Sequence, residues 1–241
     1  MPDGQDILID GGPGLQKINL ELSEELPFWD RTIDLVVCTQ PQADHVTGLV
    51  EVLQRYKVKQ VLEPGVSYNS SIYREWLNVV QDKSIEYNIA RAGQEIDLGS
   101  GIKLEVLNPP QDLFEETSHD VDNNGVVLKL TWGKVSFLFT ADIRKEAEFE
   151  LTGQRANLRS TVLKVAHHGS STSTSQQFLA AVGPEVAVIC VGADNPFGHP
   201  SPEVMNRLID MVGDNNVYRT DEDSTIEFIT DGESLWVRTD N

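Results

Sequence analysis

The chain has few cysteines, few basic residues and no long apolar run. It carries two cysteines, Cys38 and Cys190, among 241 residues, which excludes a disulfide-rich scaffold. Both lie inside apolar runs typical of strands, so we predict that they pack as small core residues. No apolar stretch approaches the roughly 20 residues that span a bilayer, and the N-terminus lacks the basic start and apolar middle of a signal peptide. The sequence therefore predicts no membrane segment in this chain.

Basic residues are outnumbered two to one, with 19 Lys and Arg against 38 Asp and Glu and a net charge of −19. Such a surface repels nucleic acid and attracts cations. A polyanionic substrate would therefore need a metal ion, a local basic patch or a partner domain. Much of the acidic excess lies in residues 112–122 and 214–240, which we interpret as solvated acidic faces.

Apolar runs bounded by turn residues alternate with helical patterns along most of the chain. Strands are predicted at residues 7–10, 33–39, 102–109, 126–132, 135–142, 185–192, 217–220, 225–230 and 234–239, and at the start of 161–170. Helices are predicted at residues 46–56, 146–151 and 176–182, and from an N-cap at Ser201 and Pro202 to Gly213. Gly133 and Lys134 indicate a hairpin turn. The pattern predicts a mixed α/β (α+β) fold, with residues 1–241 as one domain of sheets flanked by helices.

Histidines and aspartates mark the ends of several predicted strands. His45, His167, His168 and His199 lie there or in the loops that follow, where open α/β sheets place their ligands, whereas His119 lies in an acidic polar stretch and looks incidental. Asp44 precedes His45 at the start of a helix. Asp142 ends its strand, where a carboxylate serves either as a helix N-cap or as a metal ligand. Taken together, these imidazoles and carboxylates predict a site for zinc or manganese.

Five motifs, in order, make the chain recognisable: ILIDGGP, TQPQADHVTGL, FLFTADI with an acidic helix after it, LKVAHHGSSTS and NPFGHP. They resemble the metallo-β-lactamase-like C-terminal domain of the ComEC family, the membrane channels of bacterial DNA uptake. The resemblance extends over nearly the whole chain, and HHGS after a strand with GHP before a helix is its most specific part. It implies a four-layer αββα sandwich with metals at the shared edge of two central sheets. It also implies a phosphodiesterase or nuclease role.

The chain departs from this family pattern at one of two metal sites. The superfamily's first motif, His-x-(His or Asp)-x-Asp-His, corresponds here to Gln40, Gln42, Asp44 and His45. A neutral amide replaces imidazole or carboxylate poorly, so the resemblance implies that the first site, at Gln40 and Gln42, is degenerate. Residues 123–125 read Asn-Asn-Gly and supply no further histidine. The second site matches fully, with Asp44, His45, Asp142 and one of His167 and His168, which implies about one zinc or manganese ion per chain.

The leading hypothesis is therefore a weakly active metal-dependent phosphodiester hydrolase that meets DNA at its metal site. Asp44 would hold or accept the proton of the attacking water, and His199 would stabilise charge or protonate the leaving oxygen. One alternative is a catalytically inactive domain kept for structure or for contacts within the DNA-uptake machinery. Another is a hydrolase of a different ester, such as a lactone, which the acidic surface suits better than DNA.

The family context predicts a larger protein. The family domain begins with an additional strand carrying a Val-Gly-Gln-Gly-Asp stretch and follows a membrane channel, whereas this chain starts at what resembles the second strand. We therefore expect a piece of a longer protein whose remaining part is a ComEC-like channel. The resemblance implies attachment to the cytoplasmic membrane, with this domain on the outer side.

Overall fold

The computed structural model describes residues 1–27, 29–154 and 156–240. The chain divides into two compact units, Met1–Arg91 and Ala92–Asn241, which we name the N-terminal and the C-terminal unit. None of the helices in the described ranges has the length and apolar character needed to cross a bilayer.

The N-terminal unit is built on a parallel sheet with helices in its crossover connections. Its elements are β1 (Ile7–Ile9), α1 (Lys17–Glu25), β2 (Thr32–Val37), α2 (Ala43–Arg55), β3 (Lys57–Glu63), α3 (Ser71–Asp82) and β4 (Glu86–Ile89). The strand order is β1-β2-β3-β4, and each neighbouring pair is parallel. The carboxyl ends of the strands therefore share one edge of the sheet, where the segments after β1 and β2 emerge.

Apolar burial explains the helices of this unit. Val46, Leu49, Val50 and Leu53 recur on one face of α2 and are all buried, as their helical spacing predicts. Trp76 of α3 is fully buried in the same core. The predicted strand at 33–39 corresponds to β2, which begins at Thr32 and ends at Val37, two residues earlier than expected.

Two glycines bring the turn after β1 against α2. The N–H of Gly11 donates to the carbonyl of His45 at 2.9 Å, and the N–H of Gly48 donates to the carbonyl of Gly12 at 3.0 Å. A Cβ atom on Gly48 would lie only 2.0 Å from the carbonyl oxygen of Gly11. Because the backbones approach this closely, Asp10 is placed beside the first turn of α2.

The C-terminal unit is built on a mixed sheet. Its elements are β5 (Glu95–Asp97), β6 (Ile102–Asn108), α4 (Asp120–Asn123), β7 (Val127–Trp132), β8 (Val135–Phe139), α5 (Lys145–Gly153), β9 (Val162–Lys164), α6 (Gln176–Val182), β10 (Val186–Ile189), α7 (Pro202–Val212), β11 (Val217–Arg219), β12 (Ile226–Thr230) and β13 (Leu235–Thr239). The seven-stranded sheet has the order β11-β10-β9-β8-β7-β6-β5, and β12 and β13 form a separate antiparallel pair.

The pairing of strands changes from antiparallel to parallel at β8, and several candidate residues lie just beyond the parallel strands. β5 to β8 pair antiparallel, whereas β8, β9, β10 and β11 pair parallel. The segments after β8, β9 and β10 therefore leave the sheet at the same edge, and they carry Asp142, His167, His168 and His199.

Most element predictions for this unit are confirmed, and one alternative is wrong. Gly133 and Lys134 form the hairpin turn between β7 and β8, and α7 has its N-cap at Ser201. β8 ends at Phe139, so Asp142 lies in the turn beyond the strand. The N-cap of α5 is Arg144 rather than Asp142, so the capping role considered for this carboxylate is wrong.

Both cysteines are free, as the sequence predicts. Cys38 is fully buried in the core of the N-terminal unit. Cys190 is only partly buried and packs against a small apolar cluster in the C-terminal unit. The predicted core role is therefore confirmed for Cys38 and holds in part for Cys190.

Candidate functional site

In the N-terminal unit, Asp44 and His45 stand in the first turn of α2, directly after β2. Gln42 is the N-cap of this helix, and the helix N-terminus favours the negative charge of Asp44. The side chain of Asp44 is 50% exposed, whereas that of His45 is 3% exposed. Oδ2 of Asp44 lies 3.8 Å from Nε2 of His45, so the pair offers an accessible carboxylate beside a buried imidazole.

His45 is held between a carboxylate and an amide. Its Nδ1 atom lies 2.8 Å from Oδ2 of Asp10, and its Nε2 atom lies 2.9 Å from Nε2 of Gln40. Because the carboxylate can only accept, Nδ1 carries the ring proton, and the lone pair on Nε2 accepts a hydrogen from Gln40. A carboxylate behind a histidine is a common support of metal-binding imidazoles. Here the amide covers the nitrogen that a metal would use.

Asp10 is fixed as a carboxylate by several donors. Its Oδ1 accepts the backbone N–H of Thr39 at 2.8 Å, and its Oδ2 accepts the Thr39 hydroxyl at 2.7 Å. Burial alone would raise the pKa of Asp10, but the electrostatic attraction of His45 and the hydrogen bonds from His45 and Thr39 outweigh it and lower that pKa. Sequence reasoning missed this residue, although an aspartate that follows an apolar strand and precedes two glycines is a usable signal.

In the C-terminal unit, Asp142 and His168 form the closest pair of candidate ligands. Asp142 is buried, and its Oδ2 lies 3.4 Å from Nε2 of His168. Nδ1 of His168 lies 2.6 Å from the carbonyl oxygen of Cys190, which can only accept, so Nδ1 carries the proton. In the neutral ring, the lone pair on Nε2 then faces the carboxylate. A carboxylate and an imidazole nitrogen that face each other suit a shared cation, either a proton or a metal ion.

His167 has different surroundings from its neighbour. Both histidines have left-handed backbone, with φ of 51° and 54°, and their ring centroids are 6.4 Å apart at an interplanar angle of 66°. Nδ1 of His167 lies 3.1 Å from Oγ1 of Thr172. Burial lowers the pKa of His167, although Asp142 opposes this shift. The structure thus pairs His168, rather than His167, with Asp142.

His199 lies in the loop between β10 and α7, and two hydrogen bonds to Asn195 hold its backbone. Its N–H donates to Oδ1 of Asn195, and its carbonyl accepts from Nδ2 of Asn195, both at 2.9 Å. Its ring packs edge-on to His167 and stacks on Phe197, each with centroids 5.9 Å apart. Burial lowers the pKa of His199, and the nearby His168 lowers it further. Asp142 opposes this shift, and the net lowering of the pKa favours the neutral imidazole of His199.

Glu148 of α5 anchors the loop that follows the paired histidines. It is 1% exposed and accepts the backbone N–H groups of Thr174 and Ser175, the latter at 2.9 Å. Ser175 is also the N-cap of α6. The carboxylate thereby fixes residues 170–175 relative to α5. The sequence marked the acidic helix only as part of a family motif and did not assign this role.

The asparagines at 123 and 124 are committed to backbone contacts. Oδ1 of Asn123 accepts the N–H of Arg144 at 3.2 Å. Oδ1 of Asn124 accepts the N–H of Phe114 and its Nδ2 donates to the Phe114 carbonyl, both at 2.9 Å. These side chains therefore hold the loop before β7.

Each unit carries one carboxylate and one imidazole of the kind that binds divalent metal ions. These are Asp44 and His45 in the N-terminal unit, and Asp142 and His168 in the C-terminal unit. Both imidazoles have their Nδ1 proton held by an acceptor, as metal ligands usually do. In contrast, Oε1 of Gln40 is buried without a hydrogen-bond partner among the described residues.

Comparison with known proteins gives consistent matches. A family model described as the metallo-beta-lactamase superfamily matches residues 2–193. ComE operon protein 3 of Bacillus subtilis is 27% identical over 198 residues, which cover 82% of this chain and 25% of that protein. Competence protein ComA of Neisseria gonorrhoeae is 39% identical over 111 residues, which cover 45% of this chain and 15% of that protein. The chain thus spans a quarter or less of the length of these relatives.

One solved structure supports the fold alone. The metallo-beta-lactamase fold protein YhfI from Bacillus subtilis matches with a TM-score of 0.54 at 9% identity, over 96% of this chain and 87% of that one. Together with the family match, it confirms the predicted mixed α/β fold class. The predicted resemblance is confirmed by the family match and the two relatives.

Proposed function

The chain belongs to the metallo-β-lactamase superfamily, and from this premise we propose that it is the metal-dependent hydrolase domain of a DNA-uptake protein. Its proposed chemistry is phosphodiester hydrolysis at a partly degenerate metal site, with residues 1–241 acting as one hydrolase domain. The observation that carries the proposal is the buried Asp142 carboxylate, whose Oδ2 lies 3.4 Å from Nε2 of His168.

The family resemblance supplies the proposed ligands of one zinc or manganese ion, which are Asp44 and His45 of the N-terminal unit and Asp142 and His168 of the C-terminal unit. The bound ion would lower the pKa of a water molecule and polarise a phosphoryl oxygen. His168 is preferred over His167 because only its Nδ1 proton is held by a carbonyl oxygen while its Nε2 faces a carboxylate. Asp10 and the Cys190 carbonyl orient the two imidazoles.

Two residues are proposed to handle protons. Asp44 is half-exposed, so its carboxylate can hold or accept the proton of an attacking water. His199 has a lowered pKa, so its neutral ring would stabilise charge on the leaving oxygen by donating a hydrogen bond rather than by giving up a proton. The two hydrogen bonds with the Asn195 side chain hold the backbone of His199 in place for this role.

The wider context of the proposal comes from the relatives. One of them is named a competence protein, and the motifs resemble the ComEC family. We therefore propose that the full-length protein contains a ComEC-like membrane channel and that this domain lies on the outer side of the cytoplasmic membrane. DNA would be the substrate, meeting the domain at its metal site.

A second candidate function is a catalytically inactive domain within the same machinery. The amide of Gln40 on His45 and the commitment of Asn123 and Asn124 to backbone contacts favour it. Hydrolysis of a different ester remains a third candidate, which the net charge of −19 favours because a small or neutral substrate is not repelled.

Metal content tests the hydrolase proposal first. After dialysis against trace zinc and manganese, elemental analysis of the wild-type protein should give about one ion per chain. Asp142→Ala and His168→Ala should lose it, whereas His167→Ala and the exposed-histidine control His119→Ala should keep it. A wild-type protein without bound metal would refute the hydrolase proposal and support the inactive domain.

Substrate preference is tested on the metal-loaded protein. Rates on single-stranded DNA, on bis(p-nitrophenyl) phosphate and on a panel of lactones separate the phosphodiesterase from an esterase of another kind. Phosphodiester cleavage that is lost in Asp142→Ala supports the proposal. Lactone hydrolysis without phosphodiester cleavage would replace it with the third candidate.

A further inference from the structure

The side chain of Gln40 occupies an unusual position against His45. Gln40 is 1% exposed, and its Nε2 lies 2.9 Å from Nε2 of the imidazole. The NH₂ group of Gln40 can only donate, so Nε2 of His45 accepts this hydrogen bond. The ring proton is then on Nδ1, which donates to Asp10. Oε1 of Gln40 remains buried and without a hydrogen-bond partner in the described ranges.

We infer that Gln40 masks the metal-binding nitrogen of His45, so that an incoming divalent cation must displace this amide before the imidazole can bind it. The inference rests on the proposed function, in which His45 is a ligand. Gln40 is then a positioning residue that holds the tautomer of His45 and lowers the affinity for metal. This role is separate from the replacement of a metal ligand at position 40.

The geometry indicates that the mask is weak. Displacement breaks one hydrogen bond of the side chain, since within the described ranges the Gln40 amide bonds to His45 alone and Oε1 has no partner to lose. The net contribution of one neutral hydrogen bond corresponds to about a two- to tenfold change in a binding constant. An apolar side chain of similar size at this position should therefore strengthen metal binding by about that factor.

Metal affinity measured with Co²⁺ and Zn²⁺ tests the inference. Dissociation constants would be determined at pH 7.5 by competition with a chromophoric chelator for the wild type, Gln40→Leu and the matched amide control Gln42→Leu. We expect Gln40→Leu to bind about two- to tenfold more tightly and Gln42→Leu to bind like the wild type. Equal or weaker binding by a folded Gln40→Leu would overturn the inference.

The same assay separates this inference from the proposed function. If the wild type binds no metal, the hydrolase proposal fails, and masking then predicts that Gln40→Leu gains detectable binding. Absence of binding in both proteins would overturn the inference as well. If the wild type binds metal and Gln40→Leu binds equally, only the inference is lost.

A measurement on the wild type covers the case in which Gln40→Leu does not fold. Long-range ¹H–¹⁵N spectra of the metal-free protein should show His45 protonated at Nδ1 and bare at Nε2. Saturating Zn²⁺ should shift both the Nε2 resonance of His45 and the side-chain NH₂ resonances of Gln40. A proton on Nε2 of His45, or side-chain NH₂ resonances of Gln40 that do not shift with Zn²⁺, would overturn the inference.

Discussion

Asp10→Asn tests whether the carboxylate behind His45 sets the state of the imidazole. The native carboxylate accepts three hydrogen bonds, from the N–H of Thr39 at 2.8 Å, from its hydroxyl at 2.7 Å and from Nδ1 of His45 at 2.8 Å. An amide oxygen in place of Oδ1 can still accept the backbone N–H. The new NH₂ group then faces His45, whose ring proton must move to Nε2 to avoid two opposed donors.

The size of the effect follows from this rearrangement. The Thr39 hydroxyl can rotate to accept, and the amide of Gln40 can turn so that Oε1 accepts the new Nε2 proton. No buried group is then left unpaired, and the loss is the difference between charge-assisted and neutral hydrogen bonds. We expect the free energy of unfolding to fall by about 1–2 kcal/mol. We expect metal affinity to fall about 10- to 100-fold, because the ligand nitrogen now carries a proton.

Urea unfolding and chelator competition on the same samples measure both quantities. Thr39→Val is the control, since it removes the hydroxyl bond to Asp10 but leaves the carboxylate behind His45. It should cost about 1 kcal/mol and leave metal affinity close to that of the wild type. Wild-type metal affinity in Asp10→Asn, or an Nδ1 proton on His45 in its nitrogen spectrum, would refute the reasoning.

Three further predictions concern stability. Tyr73→Phe removes a 2.7 Å hydrogen bond to the buried carboxylate of Glu63 and should lower the free energy of unfolding in urea by about 1.5–3 kcal/mol. The loss should exceed that of Tyr87→Phe, because Tyr87 also bonds to Glu63 but is 41% exposed, and equal losses would contradict this. Gly48→Ala drives a Cβ atom to 2.0 Å from the Gly11 carbonyl and should cost about 3 kcal/mol or more by thermal or urea unfolding, whereas Gly153→Ala, with no atom within 4 Å, should cost nothing. Burial raises the pKa of Glu148 above its ordinary value of 4.5, so the folded state holds this proton more tightly than the unfolded state does. The stability of the wild type relative to Glu148→Gln should therefore fall as pH rises from about 4.5 through the folded pKa, and a difference that is independent of pH would contradict the assignment.

Features that depend on residues close together in the chain could be predicted from the sequence. The apolar face of α2, the hairpin turn at Gly133 and Lys134, and the Ser201 N-cap with Pro202 each depend on residues close together in the chain, and the structure confirms all three. Strand lengths were less accurate, because a strand ends where its partner's hydrogen bonds end. Within the segment 161–170, only the three residues of β9 form a strand. The backbone then turns, and His167 and His168 adopt the left-handed conformation.

The sequence by itself determined the fold class and the residue types of the candidate site, because apolar periodicity, turn residues and the HHGS and GHP motifs are local and specific. Only the tertiary structure decided how those residues are used. It supplied Asp10 and the Cys190 carbonyl as acceptors behind His45 and His168, and it set the amide of Gln40 against His45. These partners are 5 to 35 residues away along the chain. The proton position on each imidazole depends on which acceptor the folded backbone brings to the ring, and no local pattern of residues encodes that contact.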